Sequence, residues 1–133
     1  IPVVNENDTV AVDEMDHQTS FGDNDWLSAV VASGIDADLL IVLSDIDGLF
    51  DKNPKKYADA NLISEVTEIN EKITGAAGGT GSRFGTGGMA TKIKAMDRMI
   101  NEGRKAVLAN GKRPSIIFEI LNGKQIGTLF HKK

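Results

Sequence analysis

The sequence predicts an α/β protein, a three-layer αβα sandwich built around a mainly parallel sheet. Three observations predict it. Segments of strand and helix character alternate along the 133 residues. One of them, Asp38–Leu43 (DLLIVL), is a run of consecutive apolar β-formers, the pattern of a strand buried on both faces as in a parallel sheet. A glycine-rich segment leads directly into a helix, Met89–Asn101, with Ile93, Met96 and Ile100 at helical spacing on one face. Repeated β/α alternation of this kind folds by covering both faces of a sheet with helices.

The elements read as follows. Ile1–Val4 is an apolar, strand-like opening, and Thr9–Phe21 is polar and mixed, a loop or loose hairpin. Asp25–Ser33 is a helix with Asp23 or Asn24 as its cap and Gly34 at its end. After the Asp38–Leu43 strand, Asp45–Pro54 carries Asp-Gly and Asn-Pro turn signals. Leu62–Val66 is a short strand and Ile69–Ala76 a short helix. Gly75–Gly88 holds seven of the chain's 14 glycines and is a loop. Met89–Asn101 ends at Gly103, and Lys105–Ala109 is a further strand. Pro114–Leu121 is a helix with Pro in its first turn and Gly123 past its end, and Ile126–Phe130 closes as a strand.

Composition narrows the function classes. Hydrophobic content of 41% and charged content of 26% are those of an ordinary globular domain with a real core. A net charge of −4 gives no electrostatic reason to expect nucleic acid or an anionic membrane as partner. The chain has no cysteine, hence no disulfide framework and no thiolate metal site, which fits a cytoplasmic protein. No apolar run approaches the roughly 20 residues of a membrane helix. The opening Ile1-Pro2-Val3-Val4 reads as strand from the first residue, whereas domain boundaries fall in exposed polar segments. The expectation is a piece of a longer protein, incomplete on its N-terminal side.

Ligands of an open α/β sheet bind outside the carboxyl ends of its strands. Three segments qualify. Thr86-Gly87-Gly88-Met89-Ala90-Thr91-Lys92 offers backbone N–H groups at a helix start, the helix dipole and the charge of Lys92, so a nucleotide phosphate is the natural ligand. It is not a Walker A loop. Gly85, Gly87 and Ala90 match the dinucleotide fingerprint, but no strand precedes them and no acidic residue follows the next strand. The alternative is a surface loop with a capping lysine. Ser44 and Asp45 follow the long strand, and Asp45 is suited to orient Lys92 or to meet nucleotide-bound magnesium. Asp47, before Gly48, reads as a turn residue and stays outside the site. Asn5, Asp8, Asp23, Asn24 and Asp25 form a carboxylate and amide group suited to a substrate ammonium, to a hard cation, or merely to capping the Trp26 helix. His17 and His131 are isolated, and Met96 and Met99 read as packing residues.

The segments IPVVNENDTV, FGDNDWLSA, LIVLSDIDGLF, GTGGMATKIKA and IGTLF resemble the C-terminal half of the glutamate 5-kinases. These belong to the amino acid kinase family, together with aspartokinase, carbamate kinase and UMP kinase. The resemblance runs from residue 1 to about 131. The NEND and GDND segments are particular to the glutamate enzymes, and GTGGMxTK is shared more loosely. It implies that Asp8 and Asn24 bind glutamate with Asn5, Asp23 and Asp25 nearby. It implies that Ser44 and Asp45 contact ATP, where the family often has Thr-Asp. It further implies that Thr86 through Lys92 hold the ATP phosphates and that Lys92 stabilises the transferred phosphoryl group. The implied reaction makes glutamyl 5-phosphate and ADP, the first step of proline synthesis, with magnesium, feedback inhibition by proline and a homo-oligomeric assembly. Two features of the family lie outside these residues: the N-terminal half, with its own phosphate loop, lysine and substrate-contacting serine, and the C-terminal PUA domain of many members.

Overall fold

The structure is a computed structural model, and it describes residues 1–4, 24–77 and 88–133. Along the chain run α1 (Asn24–Gly34), β1 (Leu39–Ser44), β2 (Glu65–Val66), α2 (Glu71–Ala76), α3 (Met89–Asn101), β3 (Lys105–Asn110), α4 (Ile116–Leu121) and β4 (Thr128–Phe130). The strands form one sheet in the order β1-β3-β4-β2. β1 pairs with β3 and β2 with β4 in parallel, while β3 and β4 are antiparallel.

Alternation along the strands builds the layers, because successive side chains of a strand point to opposite faces. From β3, Ala106 and Leu108 face the larger core, which also takes Val42, Phe130 and the buried residues of α1, α2 and α3. Val107 and Ala109 face the other way, against Ile116 and Ile120 of α4 with Leu39, Ile41 and Leu129 alongside. Three helices on one face and α4 on the other give the expected three layers. On α3 the predicted stripe is buried and is widened by Ala95 and Met99.

Local chemistry sets the element ends. The Asn70 side chain caps α2 by accepting from the Ile73 N–H at 3.1 Å. Gly127 has φ 71°, and a Cβ there would lie 2.1 Å from the Leu108 carbonyl oxygen, so no other residue fits the entry to β4. The fully buried Thr128 hydroxyl accepts from the Leu49 N–H at 2.8 Å and donates to the Ile63 carbonyl at 2.7 Å, pinning the turn after β1 to β4. Arg104 joins the two helix-to-strand turns at the opposite end, donating to the Ala37 carbonyl at 2.9 Å and pairing with Asp36 at 2.6 Å and Glu102 at 3.2 Å.

Several expectations need correction. Ile1–Val4 is in no strand, and Ile1, Val3 and Val4 are exposed. Apolar composition does not make a strand without a neighbour to pair with, and none of the described strands pairs with these residues. The DLLIVL run is not buried on both faces: only Val42 of β1 is buried, because β1 stands at the edge of the described sheet. The strand sealed on both sides is β3, with Ala106 through Ala109 buried. The strand expected over Leu62–Val66 shrinks to β2, and Leu62 instead bridges to Phe50. Gly75 and Ala76, where the expected helix and the expected loop overlapped, belong to α2, which ends at Ala76 as expected and begins at Glu71 rather than Ile69.

Candidate functional site

α1 and α3 each connect to the start of a strand through a short turn, so their C-termini lie at the strand starts. Their N-termini therefore lie at the end of the sheet where the parallel strands β1 and β3 finish. This end holds Asn24 and Asp25, Gly88 through Lys92, Ser44 and Asp45, and Asn110. The fold thus brings one part of each predicted segment to one end of the sheet, as the strand-end rule anticipates.

The α3 N-terminus is built for an anion. Gly88 at the cap position makes no side-chain cap hydrogen bond, and the first turn carries no acidic residue. Lys92 N–H is the first to close a helical bond, donating to the Gly88 carbonyl at 3.3 Å. The N–H groups before it follow no intrahelical acceptor and sit at the positive end of the helix dipole. The Thr91 hydroxyl donates to the Gly88 carbonyl at 3.0 Å, which secures the turn without covering those donors.

Lys92 does not stand alone. Its Nζ is 2.8 Å from Asp25 Oδ2, with the two side chains 15% and 16% exposed. The carboxylate that meets Lys92 is therefore Asp25 of the GDND segment, whereas orienting Lys92 was one of the two roles the sequence offered for Asp45. Such a pair, mostly withdrawn from water, keeps its geometry far better than a surface pair would. An ammonium has three donors, so Lys92 can hold Asp25 and still reach a phosphate oxygen. Asn24 is exposed in the same first turn of α1.

Ser44 donates its hydroxyl to Asp45 Oδ1 at 3.2 Å, and the Asp45 side chain is otherwise turned to solvent at the end of β1. Asp47 accepts from Asn110 Nδ2 at 2.8 Å, tying the two strand ends together as a turn residue. Asn5, Asp8, Asp23, Thr86 and Gly87 lie outside the described residues, as do the Thr9–Phe21 segment with His17 and most of the glycine-rich loop. Among the described residues, no group of three or more His, Cys, Asp or Glu side chains is arranged to hold a metal ion, and no helix is long and apolar enough to cross a membrane.

Two features were not read from the sequence. A cleft of about 360 Å³ opens beside Met89, at the start of α3, lined by Ile46, Phe50, Lys52, Tyr57 and Ala77 among others. Its signal was the Lys52-to-Tyr57 stretch (KNPKKY), basic with one aromatic, of which only the Asn-Pro turn had been read. The second is Trp26, whose ring faces Lys94 and Arg98 of α3. One tryptophan inside a helical pattern carries no sign of which cations it will meet.

Comparison with known proteins agrees with this architecture. The model of the amino acid kinase family matches residues 1–110. The chain is 99% identical over 133 residues to a glutamate 5-kinase of Ligilactobacillus salivarius, covering 100% of this chain and 50% of that protein. It is 61% identical over 132 residues to a glutamate 5-kinase of Enterococcus faecalis, covering 99% of this chain and 49% of that protein. A crystal structure of the isopentenyl phosphate kinase of T. acidophilum, a product complex, superposes with a TM-score of 0.58 at 26% identity, over 80% of this chain and 38% of that one. The chain thus spans about half the length of the curated relatives it matches. By the family match over most of its length and by its fold, the chain belongs to the amino acid kinase family.

Proposed function

We propose that the full-length protein containing this chain transfers the γ-phosphoryl group of ATP to the side-chain carboxylate of L-glutamate, forming glutamyl 5-phosphate and ADP in the first step of proline synthesis. In this reading residues 1–133 are the C-terminal, ATP-binding part of the kinase domain. The observation that carries it is the 2.8 Å contact between Lys92, on the phosphate-binding helix, and Asp25, in the GDND segment. One ion pair links the nucleotide end of the site to its acceptor end. The two glutamate 5-kinases, at 99% and 61% identity, support the choice of acceptor.

The chemistry asks little of acid–base groups. A glutamate side chain, with a reference pKa of about 4.3, is ionised at neutral pH and needs no general base. Its oxygen forms the new bond to the γ-phosphorus as the bond to the β-phosphate oxygen breaks and ADP departs. The reaction needs alignment and neutralisation of charge on the phosphoryl oxygens. Lys92, steadied by Asp25, supplies a full positive charge, and the N–H groups of the α3 first turn supply oriented partial charges. The cleft beside Met89 suits the nucleoside end of ATP. Thr86 and Gly87 extend the phosphate loop, and Asn5, Asp8, Asp23 and Asn24 complete the glutamate side. Magnesium takes one or two carboxylates and keeps several waters, and exposed Asp45 fits as such a ligand. The bound ion would offset charge on the phosphates. Proline as a feedback inhibitor, a homo-oligomeric assembly and a cytoplasmic location accompany this reading.

Lys92→Ala in the full-length protein tests it. Hydroxamate formation from glutamate, ATP and hydroxylamine should fall by about 10³–10⁵-fold, the scale of removing a cationic clamp from phosphoryl transfer. Near-normal turnover would remove Lys92 from the mechanism. Because the chain matches half of its relatives, the 133 residues alone are proposed to bind ADP weakly without glutamate-dependent turnover. Turnover by the pure 133-residue chain would reject that second reading.

A further inference from the structure

α1 and α3 run side by side, with Asp25 meeting Lys92 near their starts and Ser33 meeting Arg98 further along. Their inner faces are closely packed, with Ala29, Ala95, Met96 and Met99 at 0% exposure.

The outer flank carries a different contact. Lys94 Nζ lies 4.8 Å from the centroid of the Trp26 ring and the Arg98 guanidinium carbon 5.4 Å from it. Lys94 and Arg98 are four residues apart on α3 and so share a face. Indole has the strongest cation-attracting face among the aromatic side chains, and both cations are within the range of that attraction. Arg98 is itself fixed, donating through Nε to Ser33 Oγ at 3.0 Å and pairing with Glu102 at 3.1 Å. Trp26 follows Asp25 directly, so anchoring the indole anchors the turn that presents Asp25.

We propose that Trp26 is a positioning residue: gripped by Lys94 and Arg98, it holds the first turn of α1 against α3 and so keeps Asp25 on Lys92. Its activity consequence rests on the kinase reading above, whereas the geometric claim does not. The indole touches neither reacting group and acts through the ion pair beside it.

The test compares the full-length protein with Trp26→Phe, Trp26→Leu and Lys94→Met/Arg98→Met. Leucine keeps apolar bulk without a π face, phenylalanine keeps a weaker π face, and the double variant leaves the tryptophan in place. Trp26→Leu and the double variant should each lose about tenfold in kcat, equivalent to about 1.4 kcal/mol, roughly the worth of the two contacts. KM for ATP should change little, and Trp26→Phe should recover most of the loss. A second readout is independent of substrate identity: acetylation of Lys92, followed by peptide mass spectrometry, should speed up in the two defective variants relative to the other lysines. Unchanged Lys92 labelling in Trp26→Leu and in Lys94→Met/Arg98→Met overturns the proposal. So does equal loss of kcat in the leucine and phenylalanine variants. If the unmodified protein fails to phosphorylate glutamate, the functional reading falls while the labelling still decides the role of Trp26.

Discussion

Replacing Asp25 by asparagine probes the ion pair at the centre of the site with almost no change in shape. The carboxylate oxygen lies 2.8 Å from Lys92 Nζ, and the side chains are 15% and 16% exposed. At that separation and an effective dielectric constant of about 20, the direct attraction is about 6 kcal/mol. Much of this offsets the cost of withdrawing both charges from water. Removing one partner of a fully buried pair typically costs about 3–5 kcal/mol. Residual exposure and the carbonyl that asparagine still offers to the ammonium reduce the expected loss to about 2–3 kcal/mol. If Lys92 acts only from the position Asp25 gives it, kcat for hydroxamate formation by the full-length protein should fall by about 30- to 150-fold. The double variant Asp25→Asn/Lys92→Ala should be no slower than Lys92→Ala alone if Asp25 acts on the reaction through the ammonium. Activity within about threefold of the unmodified protein, or losses that simply multiply in the double variant, would refute the coupling.

Two further expectations concern stability, measured on the full-length protein by denaturation. Thr128→Val keeps the shape but strands the Leu49 N–H and the Ile63 carbonyl in the core, and should cost about 2–5 kcal/mol. Thr128→Ser should cost about 1 kcal/mol for its lost methyl group, and equal losses in the two variants would contradict the hydrogen-bond explanation. His131 has acceptors at both ring nitrogens, the Glu65 carboxylate at Nε2 and the Lys132 carbonyl at Nδ1. The bond to Glu65 above all, then that to Lys132, raises its pKa above the ordinary histidine value of 6.5. Its contribution is therefore fully present below about 6.5 and lost as pH rises through the raised folded-state value. His131→Gln should flatten the stability profile across that interval, and an unaltered slope would show that His131 is not its source.

Much of the fold was legible because it is written in local pattern. Helical spacing of Ile93, Met96 and Ile100 located α3 to the residue. A cap at Asp23 or Asn24 with Gly34 located α1, and Pro114 with Gly123 located α4, each within a few positions. The Gly88-to-Lys92 turn read as a phosphate site because uncapped N–H groups and a lysine need no distant partner to define them. The DLLIVL run misled because apolarity reports what a strand prefers to bury, whereas burial depends on which strands flank it. β1 lies at the edge of the described sheet, so it is half covered.

By itself, then, the sequence determined the layer pattern, the glycine-rich phosphate turn and the residues able to carry charge there. Tertiary structure alone decided which charges meet. Asp25 and Lys92 are separated by 67 positions and come together only because two helices, each leading into one of two paired parallel strands, stack on the same face of the sheet. The same stacking sets Trp26 against Lys94 and Arg98. Periodicity marks the side of a helix that will be buried, but the partner across the interface depends on strand order and helix packing, which no local pattern encodes.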